Sequence, residues 1–236
     1  MKAYSSVLAV GASITVLGGL ALGAVTNPKL DSGEKSIRKV CVLPVEAEMN
    51  KSGMKGGEGM TKEADEWGPK VGDVVTKVIG ATGAEVIPGA LSEEQLRAND
   101  SLRQTLLQLN QKYDSVSAQL HKNPKDLKKG RYTLGDEVAL LPCAAQADSL
   151  AFVHAKATVL TGGKKAFGAL VAGPSRSRSD VWVTFVDAKS GETLAYTRVF
   201  TIGDRFRQDP AKAYTNVLTK EFKKMRVGVQ GAKKKK

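Results

Sequence analysis

The stretch Val181-Trp182-Val183-Thr184-Phe185-Val186-Asp187, continued by Ala188-Lys189-Ser190-Gly191 and Glu192-Thr193-Leu194-Ala195-Tyr196-Thr197-Arg198-Val199-Phe200, decides the fold class. Two runs rich in β-branched and aromatic residues flank a short polar turn, the sequence form of a β-hairpin. Asp187 can accept a backbone hydrogen bond inside the turn, and Gly191 can take the positive φ that a bulged loop requires. Trp182, Thr184 and Val186 point away from Val181, Val183 and Phe185, and both sets carry apolar bulk. A strand with two apolar faces belongs in the middle of a sheet covered on both sides.

Downstream, Asp209-Pro210 starts a last helix by the cap-then-proline rule, with Ala213, Tyr214, Val217, Leu218 and Phe222 on its core face. Upstream, Asp148 leads into Ser149 to Leu160, where Phe152, His154, Lys156 and Thr158 alternate with Val153, Ala155, Ala157 and Val159. That alternation predicts a strand with one buried face and His154 at the surface. Gly162-Gly163-Lys164-Lys165 reads as a turn, Ala166 to Gly173 as a weak strand or pliable loop, and Ser175 to Ser179 as flexible. Lys122 to Arg131 is basic and loop-like, and Thr133 to Leu141 forms a short helix.

In the first half, Lys39 to Val45 is a buried first strand with Pro44 near its end. Asn50 to Gly59 is a glycine-rich mobile loop, and Thr61 caps a helix whose apolar face is Trp67, Val71, Val74, Val75, Val78 and Ile79. Ala84 to Ile87, ending in Pro88-Gly89, is a second strand, so the order favours a parallel crossover. Ser92-Glu93-Glu94-Gln95 is a capping box for a long helix with Leu102, Leu106, Leu109, Tyr113, Val116 and Leu120 along one seam. Asn99-Asp100-Ser101 interrupts that seam and Asn123-Pro124 closes it. The seam suits packing across a sheet, or a partner helix. The fold class is therefore α/β: one two- or three-layer domain in the order β-α-β-α-α-β-β-β-α, with a central mixed sheet of about five strands including the C-terminal hairpin.

With 236 residues, 42% of them hydrophobic, the chain can bury one sizeable core. Lys2, the apolar run Val7 to Leu22 and the small residues Ala21-Leu22-Gly23 read as a cleavable export signal, with Ala24 first after removal. The alternative is an inner-membrane anchor through residues 7–25, a length close to a bilayer core of roughly 30 Å. Residues 1–23 are then signal, 24–36 linker, 37–226 the α/β domain and 227–236 a disordered basic tail. Export permits a disulfide between Cys41 and Cys143. Two buried small hydrophobes is the plainer expectation, because nothing in the sequence brings their Cα atoms within the roughly 4.4–6.8 Å of a bridge.

The formal charge is +12, but eight basic residues against Glu221 place +7 of it between Lys220 and Lys236. The body is only mildly basic. The terminal Lys233, Lys234, Lys235 and Lys236 suit a solvated end, or a contact for anionic lipid, cell-wall polymer or nucleic acid. Interleaved aromatics and a basic helix face are missing, so no specific nucleic-acid partner is expected.

Gly53, Gly56, Gly57 and Gly59 are candidates for a ligand-binding loop, although their spacing matches neither G-x-G-x-x-G nor a P-loop. His121 and His154 have no second histidine or cysteine at ligand spacing, so no metal site is expected. Gly173-Pro174-Ser175-Arg176-Ser177 lacks the second glycine of a nucleophile elbow. Asp136 and Glu137 suit a helix N-terminus better than acid catalysis. No catalytic residues and no cofactors are assigned, and an enzyme is not expected.

The first strand Lys39 to Val45, the segment Ala147-Asp148-Ser149-Leu150-Ala151-Phe152-Val153 and the turn Val186 to Leu194 carry a resemblance to a family. They resemble the envelope accessory proteins grouped around CsgG, LpoB and the amino-terminal domain of TolB, over about Lys39 to Met225. The resemblance implies a helix-flanked sheet. With the export signal it implies a periplasmic or secreted, non-enzymatic accessory or scaffold protein that binds an envelope protein or polymer, with self-association allowed. Membrane contact would come only through an uncleaved N-terminus. Two departures stand out: no Cys closes the apolar run for lipidation, and Ala166 to Gly173 shows no transmembrane hairpin of the CsgG pore. A small-ligand or anionic-polymer binding domain and an unrecognised hydrolase are the alternatives.

Overall fold

The computed structural model describes residues 20–21, 23–53, 56–87, 97–170 and 176–229. The expected export signal lies almost wholly outside them, as do the Ser92 to Gln95 capping box, Pro88-Gly89, Gly173 to Ser175 and the Lys233 to Lys236 tail. The elements are β1 (Leu20–Ala21), β2 (Val25–Thr26), α1 (Pro28–Asp31), β3 (Lys39–Val42), β4 (Glu46–Gly53), β5 (Gly56–Gly59), α2 (Thr61–Ala81) and β6 (Glu85–Ile87). They continue with α3 (Asp100–Lys122), β7 (Ser149–Leu160), α4 (Gly162–Leu170), β8 (Arg178–Asp187), β9 (Thr193–Ile202), α5 (Arg205–Gln208) and α6 (Pro210–Lys224). Short 3-10 segments, Pro124–Lys129, Asp136–Leu140 and Pro142–Ala145, fill the path from α3 to β7.

The fold is α/β around a mixed sheet with path β1-β9-β8-β7-β3-β6, with β2 also on β9. Nine strands join it among the described residues, against about five expected. The hairpin forms the antiparallel part, β7-β8-β9. In its turn the Asp187 carboxylate accepts from the Ser190 amide at 2.9 Å and Gly191 has φ +68°. The parallel part is β6-β3-β7, bridged by α2. Asp148, just before β7, accepts the amides of Arg38 and Lys39 at 3.1 and 3.0 Å, which holds the starts of the two parallel strands level.

Several expectations are corrected. The glycine-rich stretch is a β-hairpin rather than a mobile loop: β4 runs parallel to β7 from Glu46↔His154 to Ser52↔Leu160, and β5 folds back on it. Pro44 interrupts the ladder, so β3 and β4 lie end to end along one side of β7, with the Leu43 amide bonding to Ala151 O at 3.0 Å between them. Composition misled because the pairing strand supplies the order. Helix α2 begins after Met60, with no side-chain cap from Thr61; the Met60 amide is instead tied to Met49 O. Gly162 to Leu170 is a helix and not a turn with a weak strand, held by Lys164 on Ser52 and Lys165 on Asp204, both at 2.6 Å. The Asn99 break is real, since its side chain caps α3 through the Leu102 amide at 3.0 Å.

Three layers result. On one face Trp67, Val71, Phe206, Tyr214 and Phe222 pack on Val181, Val183 and Phe185. On the other, Leu109 and Tyr113 of α3 pack on Leu150, Phe152 and Val186. A smaller cluster of Leu120, Leu127, Tyr132 and Tyr196 continues that side. Strand β8 is thus covered on both faces over its second half. Cys41 and Cys143, expected as separate hydrophobes, form a disulfide within the second core, with Cα atoms 6.0 Å apart. Among the described residues no helix is long and apolar enough to cross a membrane.

Candidate functional site

Helix α3 covers only part of its sheet face. Tyr113 marks the boundary: its ring stacks on Phe152 with centroids 4.9 Å apart, and its buried hydroxyl is 2.7 Å from Thr184 Oγ1. Burial pushes that phenol far above its usual pKa, so it stays a neutral hydrogen-bonding group. The next residue along this face of β7 is His154, edge-on to the same ring at 4.5 Å. Beyond it the sheet opens to solvent.

Strand register sets what the open half displays, because every second residue of each strand faces the same side. One row runs Glu46, His154, Trp182, Arg198 across β4, β7, β8 and β9. The next runs Glu48, Lys156, Asp180, Phe200. A cleft of 650 Å3 lies between these rows and the edge of α3, with Asp114, His121 and Lys122 on its helical wall.

The charged side chains of the two rows pair with neighbours. His154 Nε2 lies 2.8 Å from Glu46 and its Nδ1 3.5 Å from Asp114. Lys156 pairs with Glu48 and Arg198 with Asp180, each at 2.6 Å. The exposed Lys156–Glu48 pair stabilises little, so its effect is to fix a pattern of sign, whereas Arg198 and Asp180 are largely buried against the sheet. The Trp182 indole donates to His121 Nδ1 at 3.1 Å, and the Arg198 guanidinium sits 5.4 Å from the Trp182 ring centroid while also contacting His121. Burial, and then the Arg198 charge, hold the His121 pKa below its ordinary value. The imidazole accordingly serves as an acceptor for Trp182.

Few residues singled out from sequence meet here. His154 is not a plain surface histidine: its side chain is 17% exposed and wedged between two acids and Tyr113. His121 joins it across the cleft from the far end of α3. Gly53, Gly56, Gly57 and Gly59 are ladder positions of β4 and β5 and do not line the cleft. Cys41 and Cys143 lie in the core beneath α3. Glu137 is exposed and paired with Lys112, which lowers its pKa. Glu46, Glu48, Asp114, Lys156 and Trp182 were not marked from sequence as site residues. The alternation of His154 with Lys156, and of Trp182 with Thr184, is the signal the sequence holds for Lys156 and Trp182; Glu46, Glu48 and Asp114 have none.

No protein-family model and no curated protein matches the chain. Among solved structures it is similar to a leucine-to-methionine variant of the PelC dodecamer from Paraburkholderia phytofirmans, at 12% identity and TM-score 0.37, over 90% of this chain and 99% of that one. A second PelC dodecamer structure from that organism matches at 14% identity and TM-score 0.34, over 91% and 99%. Lipoprotein GNA1162 from Neisseria meningitidis matches at 11% identity and TM-score 0.35, over 78% of this chain and 99% of that one.

Proposed function

We propose that this chain is an exported, non-enzymatic accessory protein of the cell envelope, and that the open half of its sheet binds another envelope protein. The observation that carries it is the pair of cross-strand rows left beside α3: Glu48, Lys156 and Asp180 alternate in sign from strand to strand, and Trp182 stands in the neighbouring row between His154 and Arg198. A surface of alternating charge around an aromatic selects partners by complementarity and excludes those with like charges in register. Export is supported by the Cys41–Cys143 bond, since such bridges persist in oxidising compartments, and by the apolar N-terminal run. The resemblance to the CsgG, LpoB and TolB group supports the same role.

A second reading has its own observation: the cleft volume, 650 Å3, is in the range that holds a small ligand. Its walls carry Glu46, Glu48 and Asp114 against Lys122 and Lys156, a near balance that favours a neutral or zwitterionic ligand over an anionic polymer.

The test is capture from envelope extract by the wild-type protein and by Trp182→Ala and Lys156→Glu, each checked for an unchanged melting temperature. A partner retained by the wild type and lost from both variants is expected. Capture of the same proteins by all three, or of none by the wild type, contradicts the proposal.

A further inference from the structure

We infer that Glu46 and His154 form a site for a divalent transition-metal ion at the floor of the cleft, with Asp114 orienting the imidazole. The ligand-type atoms of the three side chains lie within 4.8 Å of one another, and they come from three elements, β4, α3 and β7.

The chemistry of the ring favours a cation there. A neutral imidazole carries one N–H and one lone pair. Both nitrogens of His154 face a carboxylate: Nδ1 is 3.5 Å from Asp114 and Nε2 is 2.8 Å from Glu46. With the proton on Nδ1, on the Asp114 side, the Nε2 lone pair and a Glu46 oxygen 2.8 Å away are free to serve as two donors to one ion. Asp114, 3.5 Å from Nδ1 and exposed, has only to close by about half an ångström to hold that nitrogen as the outer carboxylate of a metal-bound histidine does.

The spacing also fits. Metal–nitrogen and metal–oxygen bonds of about 2.0–2.2 Å place two neighbouring ligands roughly 2.8–3.1 Å apart at a right angle and roughly 3.3–3.6 Å apart at the tetrahedral angle. The observed 2.8 Å fits the first as it stands and needs to open by about half an ångström or more for the second. Glu46 has room to do so, its side chain being 41% exposed, whereas His154 is fixed by Tyr113. Imidazole with carboxylate suits zinc and its neighbours better than calcium or magnesium, which prefer oxygen alone. Solvent in the cleft would complete the coordination, leaving positions that a ligand or a partner's side chain could take. The inference does not depend on the envelope-protein proposal.

Untagged full-length protein is titrated with zinc chloride by calorimetry, and its melting temperature is followed in parallel. One saturable site is expected, raising the melting temperature. His154→Ala and the near-isosteric Glu46→Gln should remove it, while Asp114→Asn should weaken it by about tenfold. The Glu46→Gln result stands even if His154→Ala does not fold. Absence of saturable binding up to millimolar zinc, or binding of equal affinity in Glu46→Gln, overturns the inference.

Discussion

The Tyr113 hydroxyl lies 2.7 Å from Thr184 Oγ1, and both residues are wholly buried between α3 and β8. This bond seats α3 on β8 beside the open face, with Leu120 continuing the contact towards Tyr196. Tyr113→Phe leaves the Thr184 hydroxyl without its partner and should cost about 1–3 kcal/mol. Adding Thr184→Val removes the orphaned group and should recover much of the loss. A denaturant double-mutant cycle measures the coupling; additive losses would show that the two hydroxyls do not depend on each other.

The Cys41–Cys143 bridge closes a loop of 102 residues. On loop entropy alone such a link is worth about 4–5 kcal/mol. The Cys41→Ala, Cys143→Ala double variant should lose stability on that scale in urea unfolding. Thiol reductant should lower the wild-type melting temperature and leave that of the variant unchanged. Equal sensitivity of both to reductant would refute the bridge.

Gly191 closes the hairpin turn at φ +68°, and a Cβ there would meet the backbone of Gly135, with its carbonyl carbon and nitrogen at 2.7 Å. Backbone strain alone costs about 1–3 kcal/mol in a branched residue. Gly191→Val should therefore lower the melting temperature by several degrees, more than the same substitution at Gly59, where nothing lies within 4 Å of the Cβ position. An unchanged melting temperature would be incompatible with the turn described.

Asp187 supplies a dependence on acid. Burial raises its pKa, and the Lys35 ammonium with the Ser190 hydroxyl and amide more than offset this, leaving it below the ordinary 3.8. The folded state thus holds the charged carboxylate more tightly than the unfolded chain does. Its contribution is complete above pH 3.8 or so and is lost as pH falls from there through the depressed folded value. Asp187→Asn should be less stable at neutral pH and show a shallower loss in the acid range. A variant that keeps the wild-type acid slope would assign that slope to other carboxylates.

The parts of this molecule legible in the sequence are those whose order is local. The hairpin, the α2 and α6 apolar faces and the Asp209 cap depend on neighbours a few residues apart, and each appears where its pattern points. Where order comes from distant partners, local pattern misled. Glu46 to Gly53 has little apolar content, yet it is a strand because β7 offers a parallel edge. Gly162 to Leu170 is helical through contacts with Ser52 and Asp204, which no window around it contains. The cleft failed to appear for the same reason. Glu46, Asp114 and His154 are far apart in sequence and meet through one parallel register and the crossing of α3.

Site-specific photo-crosslinking in intact cells measures directly whether the open sheet face engages an envelope protein. A photoreactive residue at Lys156, 54% exposed at its side chain on the open face, is compared with one at Lys77, exposed on α2 across the molecule. A discrete protein adduct at position 156 that is absent at position 77 is the predicted result. Adducts identical at both positions, or none at position 156, would contradict it.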